Sequence, residues 1–132
     1  MNVGNMSQSQ FVYDFIKKSM EAADTNSQVI ANNIANVNTA NYKRYYVSFQ
    51  NTLNNAIQMK VTNPKDITNG DDFGSITVNQ DNTSSMNADG NNVDIDAEMS
   101  NQAQNTLMYE ALTNQASTRL SMEKYVITGG GN

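Results

Sequence analysis

The sequence predicts a mainly α fold: two long terminal helices forming an antiparallel, coiled-coil-like hairpin, with a small irregular or β middle segment. Three observations predict it. The stretches before about residue 60 and after about residue 93 contain almost no helix breakers. An apolar stripe at helical spacing runs through the first of them. The chain between them, around the single proline Pro64, is crowded with Asn, Asp, Gly, Ser and Thr. The expected division is residues 1–42 for the N-terminal helix, 43–92 for the middle and 93–132 for the C-terminal helix.

In the N-terminal arm, apolar or small residues fall at Val12, Ile16, Met20, Ala23, Ile30, Ile34 and Val37, and Ser27 fills the one gap. This is close to a heptad seam. At 1.5 Å per residue it predicts a helix about 40 Å long, which needs a second long helix to cover its stripe. Phe11 and Phe15 widen the stripe, and Ser7 or Ser9 is a candidate cap. The pattern stops at Asn38-Thr39-Ala40-Asn41-Tyr42, where Asn41 can take the left-handed conformation that ends helices.

An aromatic and β-branched patch follows at Tyr45, Tyr46, Val47 and Phe49. A short helix is expected from about Phe49 to Met59. Asn63-Pro64 and Asn69-Gly70 signal turns, and Ser75-Ile76-Thr77-Val78 predicts one short strand. From Gln80 to Asn92 a loop or local disorder is expected. The last helix starts near Val93, with Asp94, Asp96 and Glu98 as first-turn acids that complement the helix dipole. Its apolar row runs Ile95, Met99, Ala103, Met108, Leu112, Ala116 and Leu120, and it drifts around the helix. Gly129-Gly130-Gly131 ends it.

Composition narrows the function. At 132 residues the prior is one small domain. Asn and Gln are unusually common, with 22 and 9 copies, while charged residues are only 16%. Without His there is no imidazole base and no His zinc site; without Cys there is no thiol nucleophile, disulfide or thiolate metal site. The net charge of −5 argues against nucleic acid and anionic membrane as partners. No apolar run approaches a bilayer span, and Met1-Asn2-Val3-Gly4-Asn5 does not open like a signal peptide.

Few constellations carry chemistry. Asp71-Asp72 and Asp94-Ile95-Asp96 are acids close in sequence, but they lie in the most polar part of the chain, without the concave, partly apolar site that carboxylate-pair hydrolysis needs. Ser85, Asn87, Asp89, Gly90 and Asp96 fall at calcium-loop spacing, but Ser85 stands where an acid is expected, Asp96 replaces the bidentate Glu and Asn92 takes the usual apolar position. Lys43-Arg44 between Tyr42, Tyr45 and Tyr46 offers two charges, too few for a nucleic-acid groove. No cofactor, metal, catalytic residue or small-molecule substrate is expected.

One segment has a specific likeness. Ile30-Ala31-Asn32-Asn33-Ile34-Ala35-Asn36-Val37-Asn38-Thr39-Ala40-Asn41-Tyr42-Lys43 resembles the N-terminal signature of bacterial flagellar rod and hook proteins: a helix ending N-N-I-A-N, then N-T, then G-Y-K. The signature residues are Asn32, Asn33, Ile34, Ala35, Asn36, Asn38, Thr39, Tyr42 and Lys43. Asp89-Gly90-Asn91-Asn92-Val93-Asp94 and Tyr109-Glu110-Ala111-Leu112 are similar to the C-terminal arm of the proximal members of the flagellar basal-body rod family. Where the family carries Pro-Gly before the Tyr, this chain has Ala40-Asn41.

The resemblance implies a structural subunit of the basal body, not an enzyme, placed in the cell envelope and exported through the flagellar export apparatus. It implies partners among other rod proteins (FlgC-like and distal), a FliE-type adaptor and the membrane ring at the rod base. Subunit packing is expected through Ile16, Met20, Ala23, Ile30, Ile34 and Val37 and a facing row Met99, Ala103, Leu107, Leu112, Ala116 and Leu120. Asn32, Asn33, Asn36 and Asn38 are expected to cap the helix or bond across subunits. The competing reading is a soluble helical-hairpin adaptor.

Overall fold

The computed structural model describes residues 8–49, 75–85 and 87–129. Helix α1 (Gln8–Ala35) and helix α2 (Ile95–Ile127) contain 28 and 33 residues, lengths of about 42 and about 50 Å. Strands β1 (Tyr45–Ser48) and β2 (Thr77–Gln80) lie between them in the chain. The expected helix at about 49–59 and the turns at Pro64 and Gly70 lie outside the described residues, as does Ser7; the other candidate cap, Ser9, falls inside α1, one residue past its start.

The helices run antiparallel. Asn33 near the end of α1 meets Glu98 at the start of α2, and Asn26 one heptad back meets Asn105 one heptad on. The strands pair antiparallel, with Tyr45 opposite Gln80 and Val47 opposite Val78. The predicted strand at 75–78 is thus found two residues later. Its partner β1 comes from the aromatic, β-branched patch, residue types suited to a pleated, half-covered surface.

The apolar core comes almost wholly from α1. Ile16, Ala22, Ala23, Val29 and Ile30 are buried, joined by Val93 just before α2. Met20, Ile34 and Val37 are half-buried. In contrast, the residues that α2 buries are Glu98 and Asn105. Leu112 and Ala116 are half-buried, but Met99, Ala103, Leu107 and Leu120 are exposed, Leu107 by 66%. As a row facing α1, the predicted set is therefore corrected at four of its six positions.

The reason is geometric. Steps of four advance 400°, so a row taken every fourth residue slides 40° at each step. The predicted set starts off the seam at Met99, drifts farther through Ala103 and Leu107, and reaches the seam only through the step of five to Leu112. The inner row takes steps of four and three through Glu98, Gln102 and Asn105, passes over the exposed Tyr109, and resumes at Leu112 and Ala116.

Both ends of α2 are capped. Asp94 accepts from the Asp96 and Ala97 N–H groups at 3.0 and 3.2 Å. At the other end the Thr128 N–H reaches Lys124 O at 2.9 Å, and Gly129 sits at φ 71°. Among the described residues, no helix is long and apolar enough to cross a membrane.

Helix α1 should therefore be far more sensitive to truncation than the outer face of α2. Ile30→Ala is expected to lose about 2–4 kcal/mol, and Leu107→Ala to stay within about 0.5 kcal/mol of the parent. Urea unfolding followed by circular dichroism measures both.

Candidate functional site at the end of the first helix

The signature residues lie where α1 stops, and a helix end leaves carbonyls without partners. Asn36 N–H still reaches Asn32 O at 3.2 Å, and its side chain donates to the same oxygen at 2.8 Å. Thr39 closes on Asn36 through its backbone and its hydroxyl, at 3.0 and 3.1 Å. The Asn91 amide completes the cap. Its nitrogen lies 2.9, 3.0 and 2.9 Å from the carbonyls of Asn36, Val37 and Thr39. Asn91 is 0% exposed, so a side chain 55 positions away in sequence supplies the cap from across the fold.

Asn41 then turns the chain at φ 60°, the left-handed conformation open to Asn where the family has Gly. Its N–H donates to Asp89 O at 2.9 Å. Gly90 is pressed against it: at φ 82°, a Cβ there would stand 2.5 Å from Asn41 Oδ1. The segment expected to be a loose loop is thus a second half of the turn. Asp89 accepts from the Asn91 N–H, and Asn91 Oδ1 from the Val93 N–H. The Asp89 side chain and those of Ser85 and Asp94 are turned to backbone groups. Among the described residues, no group of three or more His, Cys, Asp or Glu could hold a metal ion.

Asn33 is the hub. It is 0% exposed and uses both amide hydrogens and both oxygen lone pairs. The nitrogen donates to Tyr45 O at 2.8 Å and to Glu98 Oε2 at 3.2 Å. The oxygen accepts from the Tyr45 N–H at 2.9 Å and the Tyr42 hydroxyl at 3.2 Å. Toward Tyr45 the amide acts as a strand partner would, satisfying one N–H and one C=O of β1.

Glu98, 1% exposed, is the other anchor. Its second oxygen accepts from Arg44 Nε at 2.8 Å. Arg44 also reaches Asp81 at 3.4 Å. Burial opposes the Arg44 charge, but the hydrogen bonds and charges of Glu98 and then Asp81 outweigh it and hold the guanidinium above its ordinary value. Burial, then the nearby Tyr45 and Glu98, push the Tyr42 hydroxyl up. Asn92 ties the two strands' approaches together, accepting from the Arg44 N–H at 2.7 Å and donating to Asp81 O at 2.9 Å.

Of the signature residues, Asn33, Asn36, Thr39 and Tyr42 are engaged within the chain, and Ile34 is half-buried. Asn32, Ala35 and Asn38 are exposed, and Lys43 reaches only Thr83 O at 3.5 Å. Arg44, Glu98, Asn91 and Asn92 were not expected here. Glu98, expected as a first-turn acid of the last helix, is in that turn but buried. The signal that could have found the amides is the run Asp89-Gly90-Asn91-Asn92, polar residues packed directly before a helix cap.

The residues so joined can be compared with known proteins. The family model for flagella basal body rod protein matches residues 19–43. The flagellar basal body rod protein FlgB of Bacillus subtilis (strain 168) is 35% identical over 118 residues, 87% of this chain and 92% of the relative. The chain belongs to the flagellar basal body rod family. FlgB of Borreliella burgdorferi is 33% identical over 76% of this chain and 84% of its own, and FlgB of Borrelia hermsii is 35% identical over 86% and 90%. This FlgB-like chain is a structural rod subunit of the bacterial flagellum. The match at 19–43 ends beside Arg44, so it contains the hub amide and the turn built on it.

Three outcomes follow for the rod protein's clasp. Glu98→Ala leaves Arg44 with Asp81 as its remaining ion-pair partner and one Asn33 hydrogen without an acceptor, and is expected to cost about 3 kcal/mol in urea unfolding. Gly90→Ala meets both a positive φ and Asn41, and should destabilise by more than about 1 kcal/mol. Hydrogen bonds from Thr83, against some desolvation and with help from Arg44, hold the Asp81 carboxyl below its usual range. A depressed folded-state pKa stabilises above the ordinary Asp value and is lost as pH falls through the folded one. Stability should therefore fall more steeply below about pH 4 in the parent than in Asp81→Asn.

Proposed function

We propose that copies of this chain build the proximal part of the rod, polymerising through their terminal helices into part of the drive shaft for motility. The observation that carries this is the apolar surface left outside the hairpin. Met99 and Leu107 are exposed along α2, Leu120 follows, and Met122, Tyr125, Val126 and Ile127 are exposed at its end. Apolar area removed from water contributes about 25 cal/mol per Å². Contacts between subunits thus have a driving force that the single hairpin leaves unused.

Within this reading the α1 stripe closes the hairpin, and the outer α2 row meets neighbouring subunits. Asn32 and Asn38, both exposed, offer amides to the same neighbours. The middle segment, residues 43–92, faces outward from the packed arms. The partners are FlgC-like and distal rod proteins, a FliE-type adaptor and the membrane ring at the rod base, with delivery by the flagellar export apparatus. The role is mechanical: it uses no catalytic residue, cofactor, nucleic acid or small-molecule substrate. Relatives named as rod proteins over most of the chain support it.

Basal bodies purified from the source cell with and without the gene test the reading. Rods should be missing without it. A copy carrying Met99→Glu and Leu107→Glu should match the parent within about 0.5 kcal/mol of stability yet fail to restore rods or swimming. Normal rods in the deletion strain, or full rescue by the charged variant, would show the reading to be wrong.

A further inference from the structure

The seam of α1 alternates steps of three and four through Ile16, Ser19, Ala23, Asn26, Ile30 and Asn33. Every second layer is polar: Ser19, Asn26 and Asn33 follow one another at intervals of seven. On α2 the same interval gives Glu98, Asn105 and Leu112. Two successive layers are joined by amides. Asn33 donates to Glu98, and Asn26 Nδ2 donates to Asn105 Oδ1 at 3.1 Å. Asn105 also donates to Ala23 O at 2.8 Å, and between the layers Gln102 donates to Ser27 Oγ at 2.9 Å.

The apolar members of this seam cannot define the pairing. Ile16, Ala23 and Ile30 repeat every seven residues, so a slide of one heptad leaves the apolar face that α1 offers unchanged. The amides do not tolerate the slide. Slid so that Arg119 faces Ser19, Asn26 meets Leu112 and loses its amide partner, Glu98 leaves Asn33, and the Asn105 nitrogen leaves the Ala23 carbonyl. A polar side chain at one core position fixes register in this way in coiled coils, at some cost in stability.

We infer that Asn26 and Asn105, with the Ser27–Gln102 bond beside them, extend the register set at the Asn33 clasp along the hairpin, and are kept polar for specificity rather than for stability. The register then sets which α2 residues remain outside and how far the α2 end overhangs the start of α1.

The chain has no cysteine, so an introduced pair reports on itself alone. Ser19→Cys with Leu112→Cys lies one heptad beyond the Asn26–Asn105 layer and marks the native register. Ser19→Cys with Arg119→Cys marks a slip of one heptad. In the dilute full chain under mild oxidation, the native pair should close over the slipped pair by about tenfold, the ratio that one unsatisfied buried amide sets. Asn26→Leu with Asn105→Leu should keep or raise helix content and melting temperature while that ratio falls, the Asn33–Glu98 layer holding what remains. If the leucine pair loses its helix, Asn26→Ala with Asn105→Ala takes its place, read by the same ratio. A variant that keeps the parental preference, or a parent that closes both pairs equally, overturns the inference.

Discussion

One saturated amide holds this fold together. Asn33 is sealed from solvent at the end of α1, and its four hydrogen bonds reach β1, the turn tyrosine and the first turn of α2. A buried polar group is costly unless every bond is made. The elements around Asn33 are therefore coupled: none can move without leaving a donor or acceptor empty. Asn91 imposes the same constraint from the opposite arm, since the carbonyls of Asn36, Val37 and Thr39 in the turn after α1 gain its amide only when residues 89–93 are docked.

This division of labour explains the composition. The chain is rich in amides and poor in charge, and its buried polar residues include Asn33, Asn91 and Asn105. Amides can donate and accept at once without the desolvation penalty of an ion. They are suited to a hairpin in which only one helix brings an apolar face. The ion pair of Arg44 with Glu98 is the exception, and it is held by Asn33 on its second oxygen. A rod subunit whose α2 keeps its apolar residues outside has surface to spend on neighbours rather than on its own core.

Much of the architecture was legible in the sequence. The α1 stripe, the break after Val37, the left-handed Asn41 and the glycine stop after Ile127 each rest on local rules of spacing or backbone conformation. Glu98, Asn91 and Asn92 were not legible, because their partners lie some 50 to 65 positions away and no local pattern encodes such a pairing. The inner row of α2 was misphased for a related reason. Its apolar residues are spread around the helix, so periodicity had little to lock onto, and the row that faces α1 is partly polar. The signature itself was recognised from residue identity, whereas the role of Asn33 needed the fold.

The central claim is that the signature amide clasps both arms from within the chain. Hydrogen exchange on Asn33→Ala beside Asn32→Ala tests it most directly. If the claim holds, Asn33→Ala loses amide protection both at Tyr45 in β1 and across the first turn of α2, while the exposed neighbour substituted in the same way keeps the parental pattern. Unchanged protection at Tyr45 and at 95–98 in Asn33→Ala would contradict it.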